Sequence, residues 1–174
     1  MPKIEVVEYN PTWPTAFEEL KQVYVATLSE WVIGIEHVGS TAVPGLAAKP
    51  VLDIDLIIKD QRVLPVLLQQ LATLGYRHLG DRGIKDREAF ERLDENVPYT
   101  ALKKTWPAHH LYVCLEGGTG LTNHLSFRNY LRTHPAQARA YAALKQELAR
   151  RFPYASEQYV EGKTTFIRTI IGYE

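Results

Sequence analysis

The chain has 174 residues with 20 basic and 20 acidic side chains and a formal net charge of zero, so no global field would hold bulk nucleic acid, and any basic surface has to be local. Its length suits one ordinary domain, expected over residues 1–174, with enough chain to bury a core without covalent staples. A lone cysteine, Cys114, excludes an internal disulfide, and with no apolar leader and no run near the roughly 20 residues that span a bilayer, a cytoplasmic protein without a membrane partner is expected.

In chain order, Ile4–Tyr9 reads as a short strand, and Pro14 opens a helix on which Phe17, Leu20, Tyr24, Leu28 and Trp31 recur at helical spacing. Strands follow at Val32–Val38 and Val51–Ile58, with a short helix suggested between them at Leu46–Ala48. Val63, Leu67, Leu71 and Leu74 form the apolar stripe of a second helix, ended by Gly75, and Tyr76–Leu79 restarts the sheet. The polar stretch 80–105, where Arg82, Lys85, Arg87 and Arg92 sit among acids, reads as a solvated, mobile loop; beside an anion site it could instead fold over a ligand. His109–Leu115 is a strand, closed by the turn signal Glu116-Gly117-Gly118. Helices are predicted over Asn123–Arg132, Pro135–Phe152 and Ser156–Ile171, with Tyr141, Leu144, Leu148 and Phe152 as the buried stripe of the middle one. This order predicts an α/β or α+β domain, a mixed sheet backed by helices and followed by a helical tail.

Chemistry concentrates in IEHVGSTAVPGLAAKPVLDIDLII, residues 35–58. Side chains two apart leave the same face of a strand, so Asp53 and Asp55 project together while Leu52, Ile54 and Leu56 pack behind them. Paired carboxylates make a hard oxygen site suited to Mg²⁺ or Mn²⁺, and magnesium favours ligands that bring phosphate oxygens. Gly39 ends the preceding strand and would let backbone approach such a ligand, with the hydroxyls of Ser40 and Thr41 facing the anion. Replacing Gly39 by valine is expected to abolish ligand binding and leave folding nearly unchanged. His37 is either a ligand or a hydrogen-bonded core residue. His109, His124 and His134 lack the i,i+4 spacing of a zinc enzyme, and neither a Gly-x-Ser-x-Gly elbow nor a Walker loop occurs.

The Gly39-Ser40 turn, separated by twelve residues from Asp53-x-Asp55, resembles the signature of the DNA polymerase β-like nucleotidyltransferases. The fuller string HVGSTAVPGLAAKPVLDID resembles the GrpB family of that superfamily, and so do YNPTW, LSFRNYLRTHP, YAALKQELA and YVEGKTTFI. The resemblance implies a minimal nucleotidyltransferase fold and a Mg²⁺-bound nucleoside triphosphate whose nucleoside monophosphate passes to an unknown acceptor. It also implies phosphate partners in Lys49, Arg128 and Lys163, with Arg132 and Lys145 as further candidates, either phosphate partners or solvated surface residues. A full site of this kind carries a third carboxylate, and the strand His109–Leu115 has none. His110 stands in its place, or Glu116 reaches back. The alternative is a non-catalytic nucleotide-binding or helper module, in keeping with GrpB-like domains fused behind dephospho-CoA kinase.

Overall fold

Two strands, β2 (Leu52–Ile58) and β5 (His109–Leu115), run parallel at the heart of a five-stranded sheet. Outside β2 lies β1 (Gly34–Val38), antiparallel to it. Beyond β5 come β4 (Arg87–Arg92) and β3 (Tyr76–Gly80), also antiparallel, giving the order β1-β2-β5-β4-β3. The computed structural model describes residues 1–172. The α+β class and the mixed sheet backed by helices are as expected.

The two faces of the sheet have different partners. Leu52, Ile54, Leu56 and Ile58 of β2, with Leu111 and Val113 of β5, bury against α1 (Trp13–Leu28) and α2 (Leu64–Thr73) in the main core. Helix α1 contributes Trp13, Phe17, Leu20, Tyr24 and Leu28, the stripe read from the sequence; it stops before Trp31, which is half-buried. The opposite face, with Asp53, Asp55, His110, Tyr112 and Cys114, meets α3 (Thr119–Thr133), onto which α4 (Pro135–Arg151) and α5 (Ser156–Ile171) pack. Both carboxylates of β2 therefore face the C-terminal helices, as do His110, Tyr112 and Cys114 of β5.

Three local expectations are corrected. The segment 4–9 is no strand: its one ladder contact is the Val7–Ala48 bridge, and Ile4 N–H donates to the Pro153 carbonyl at 2.7 Å. Ile4 is apolar because it packs with Leu148 and Tyr159 on the tail, which an alternating pattern cannot distinguish from a sheet face. No helix forms at Leu46–Ala48; a single 3-10 turn covers Ser40–Ala42 instead, directly after Gly39. Finally, the supposed loop 80–105 contains β4. Its glutamates find partners across strands, Glu91 in Arg77 and Glu88 in His78 at 2.6 Å, so a highly charged segment sits inside the sheet.

Under α1, a buried polar chain links Tyr24, Tyr76 and His109: the two hydroxyls are 2.7 Å apart, and that of Tyr76 is 2.6 Å from His109 Nε2. Tyr76 is the middle member. Tyr24→Phe should lower folding stability by about 1 kcal/mol, while Tyr76→Phe removes both short bonds, leaving Tyr24 and His109 only their 3.5 Å approach, and should cost roughly twice as much. Urea unfolding with an unchanged slope and shifted midpoints is the measurement. Equal losses would show that the chain is not organised around Tyr76.

Candidate functional site

The parallel register sets Asp53 beside His110 and Asp55 beside Tyr112, and β4 adds Arg87 beside Cys114 on the same face. Asp53 is partly exposed, with Oδ1 3.2 Å from His110 Nδ1. Asp55 is fully buried. Its Oδ2 and Oδ1 lie 2.8 and 3.1 Å from His124 Nδ1, and the Cys114 thiol also bonds to it. Burial raises the carboxyl pKa of Asp55, against the opposing pull of His124, and burial likewise pushes the Cys114 thiol up.

Gly39 explains why the turn and the carboxylate meet. Its backbone (φ 74°, ψ −174°) lies where glycine alone is comfortable, and a Cβ there would run into the Asp53 carboxylate. Gly39, Ser40 and Asp53 open onto a cavity of about 450 Å³, closed by Tyr112, His124 and Arg87 on one side and by Lys163 and Arg168 of α5 on the other. That volume falls within the range of small-molecule sites.

The cavity is cationic around Asp53. Arg87 is 9% exposed, stacks its guanidinium over the Tyr112 ring at 4.6 Å, and reaches the Asp81 carbonyl only at 3.5 Å; its Nε has no hydrogen-bond partner. Among the described residues no carboxylate pairs with it. A Cβ at Gly120 would strike the Arg87 side chain, so the first turn of α3 can lie against β4 only because that residue is glycine. Lys163 is lowered to about 8, by burial first and by repulsion from Lys49 second, with Asp53 drawing it back up. Lys145, behind it, is lowered to about 7 by burial and by Lys163, and its Nζ donates to the Ala47 carbonyl at 2.5 Å.

Of the residues singled out in the sequence, Gly39, Ser40, Asp53 and Lys163 line this cavity. His110 is bonded to Asp53, and Asp55 lies beneath His124. Thr41 turns inward, its hydroxyl 2.9 Å from His37 Nε2, and His37 stacks on Phe17 as a core residue. Lys49 lies over the Tyr159 ring, which it shares with Lys163. Arg128 is spent on structure, donating to Glu36 Oε2 at 2.6 Å and to the His37 carbonyl at 2.9 Å, and Arg132 donates to the Ala42 carbonyl. Glu116 is four register positions past Tyr112, the neighbour of Asp55. At about 3.3 Å per residue that is roughly 13 Å, so it does not reach back to the pair. Sequence reasoning named Arg87 only within a basic loop that could fold over a ligand, and it missed Tyr112 and His124 as site residues. The alternation of Arg87 and Ala89 was the available sign of a strand, but nothing local ties His124 to a carboxylate 69 residues away.

Residues 3–172 match the family described as "GrpB protein". The chain is 34% identical over 167 residues to the UPF0157 protein YqkA of Bacillus subtilis, covering 96% of this chain and 46% of that protein, so it spans about half that relative's length. A crystal structure of the conserved protein GrpB from Enterococcus faecalis superposes with a TM-score of 0.81 at 34% identity, covering 97% and 95% of the two chains. Cid1, solved in complex with its short product ApU, shares the fold at a TM-score of 0.55 and 9% identity over 83% of this chain and 43% of Cid1. The α+β fold is thus similar to that of nucleotidyltransferases. Among the described residues, no helix is long and apolar enough to cross a membrane.

Proposed function

Because the chain belongs to the GrpB family, with a nucleotidyltransferase-like fold and a cationic cavity around Asp53, we propose that it binds a nucleoside triphosphate there and transfers the nucleoside monophosphate to an acceptor hydroxyl. One observation carries the reading: Arg87, a buried cation with an unsatisfied Nε and no carboxylate partner, opens onto the same cavity as Asp53 and Lys163. Burying a guanidinium without a counter-charge is expensive, and a phosphate supplies both the charge and the missing acceptor. In the transfer, the acceptor oxygen bonds to the α-phosphorus as the bond to the pyrophosphate oxygen breaks, and the hydroxyl proton leaves to the Asp53–His110 pair. Lys163 and Arg87 hold the departing phosphates, and Ser40 offers a hydroxyl beside the glycine that lets the ligand approach.

A magnesium or manganese ion would be held by Asp53 together with phosphate oxygens, and when bound it would neutralise charge on the departing pyrophosphate. Asp53 fits that role, with a partly exposed carboxylate at the cavity wall. Asp55, its partner in the sequence motif, has its oxygens engaged by His124 and Cys114. A second reading, a binding module without turnover, draws on that engagement and on a β5 strand that carries no acid.

Nucleoside triphosphate with Mg²⁺ should raise the melting temperature more than either alone. A ligand at about 100 times its dissociation constant adds about 2.7 kcal/mol, or roughly 5–10 °C for a chain of this size. Asp53→Asn and Arg87→Met should each remove most of that shift. Variants that respond like the parent would refute the site. Released pyrophosphate with a metabolite mixture as acceptor separates the enzyme from the module, and His110→Ala should then lower the rate more than the affinity.

A further inference from the structure

Beneath the cavity wall, a carboxylate oxygen of Asp55, the Sγ of Cys114 and a ring nitrogen of His124 all lie within 4.8 Å of one another. They come from three separate elements, β2, β5 and α3. Asp55 and Cys114 are fully buried, whereas the His124 side chain is 24% exposed and lines the cavity above them. In this arrangement a buried carboxylate receives both an imidazole and a thiol.

We propose that Asp55, Cys114 and His124 form a binding site for a thiophilic divalent transition metal, zinc foremost. The donor chemistry argues this. A thiolate and an imidazole beside one carboxylate suit zinc or cobalt and mismatch magnesium, which seeks oxygen ligands alone. The spacing agrees. Donors placed 2.0–2.3 Å from a tetrahedral ion stand roughly 3.4 Å apart, so three atoms already within 4.8 Å need only small side-chain adjustments. The ion replaces the protons that now bridge these atoms. The Cys114 thiol proton leaves to solvent, and His124 turns the lone pair of Nδ1 to the metal with its proton on Nε2. Three protein donors leave one position for water or a ligand oxygen, the pattern of an open zinc site. The expectation of no zinc site rested on the lone cysteine and on histidine spacing along one helix, and three donors gathered from three elements escape both tests. The proposal takes the second carboxylate of the Asp53-x-Asp55 motif for a different ion and does not depend on nucleotide binding.

The test exploits Cys114 as the only cysteine in the chain. The full chain, stripped with chelator and kept free of nucleotide, is titrated with Co²⁺ while the near-ultraviolet thiolate-to-cobalt charge-transfer band is followed. One equivalent should develop the band, one equivalent of Zn²⁺ should bleach it, and millimolar Mg²⁺ should leave it. His124→Ala should weaken Co²⁺ binding at least tenfold, and Cys114→Ser should lack the band. His78→Ala, an exposed histidine on β3, should titrate like the parent. Absence of a charge-transfer band in the parent overturns the proposal whatever the variants do, as does a His124→Ala protein that binds Co²⁺ with parental affinity. Neither result bears on the nucleotide reading, which the magnesium-dependent melting shift decides separately.

Discussion

Acidification from pH 7 to pH 4 should remove about 6 kcal/mol of folding stability, about 3 kcal/mol from each of two buried histidines. His37 and His109 are both lowered from 6.5 to about 4, in each case by burial first. For His37, Arg132 and Arg128 add to the effect while Asp53 opposes it. For His109, the Pro107 carbonyl opposes burial. In the unfolded chain these imidazoles take up protons near pH 6.5, whereas in the folded protein they resist until about pH 4. Between those values the unfolded state binds more protons, so their contribution is fully present above pH 6.5 and lost as the pH falls through the window. The raised carboxyl of Asp55 acts in the opposite sense and moderates the loss. Melting curves at pH 7, 5.5 and 4.5 are the measurement. His37→Gln, which can keep the bond to the Thr41 hydroxyl, should flatten the pH dependence by about half. A variant curve parallel to that of the parent would show that burial of His37 is not the cause.

Gly39→Ala should cost about 4 kcal/mol and lower the melting temperature by roughly 8–16 °C, before any ligand is considered. A positive φ of 74° combined with an extended ψ is a glycine conformation, which contributes a strain of about 2 kcal/mol. The added methyl also meets the Asp53 carboxylate, whose displacement costs a comparable amount. This corrects the expectation that a Gly39 substitution would spare the fold. Loss of nucleotide binding in such a variant therefore cannot by itself identify a phosphate cradle. Ser40→Ala and Lys163→Met, at ordinary backbone positions on the same cavity, separate the two effects: both should fold normally and bind more weakly. If Gly39→Ala melts within 2 °C of the parent, on the order of 1 kcal/mol or less, the close approach to Asp53 is not a structural constraint.

The C-terminal helices and strands β2 and β5 could be read because their patterns are local. The stripe on α1 repeats at helical spacing, the run from Leu52 to Ile58 alternates two faces, and Pro135 begins α4. The segment 87–92 was unreadable for the converse reason. Its glutamates are bonded by Arg77 and His78 on β3, so the contacts that keep Glu88 and Glu91 in a sheet lie on another strand. Ile4–Tyr9 failed the same way, since an apolar alternation does not say whether helices or strands will cover it.

By itself the sequence determined that Asp53 and Asp55 share a face and that a glycine turn precedes them, because strand period and backbone freedom are properties of neighbouring residues. It also carried the family, through motifs spread over nearly the whole chain. Tertiary structure alone decided that the two carboxylates live in different environments. Packing of α3 across the sheet drops His124 onto Asp55 and leaves Asp53 at the cavity wall, held by His110. It likewise assigned Arg128 to Glu36 and brought Arg87 out of an apparent loop to face the cavity without a partner. The physical reason is that desolvation and charge pairing depend on what lies within a few ångströms in space, and the groups that set them for Asp55 are 59 and 69 positions away along the chain.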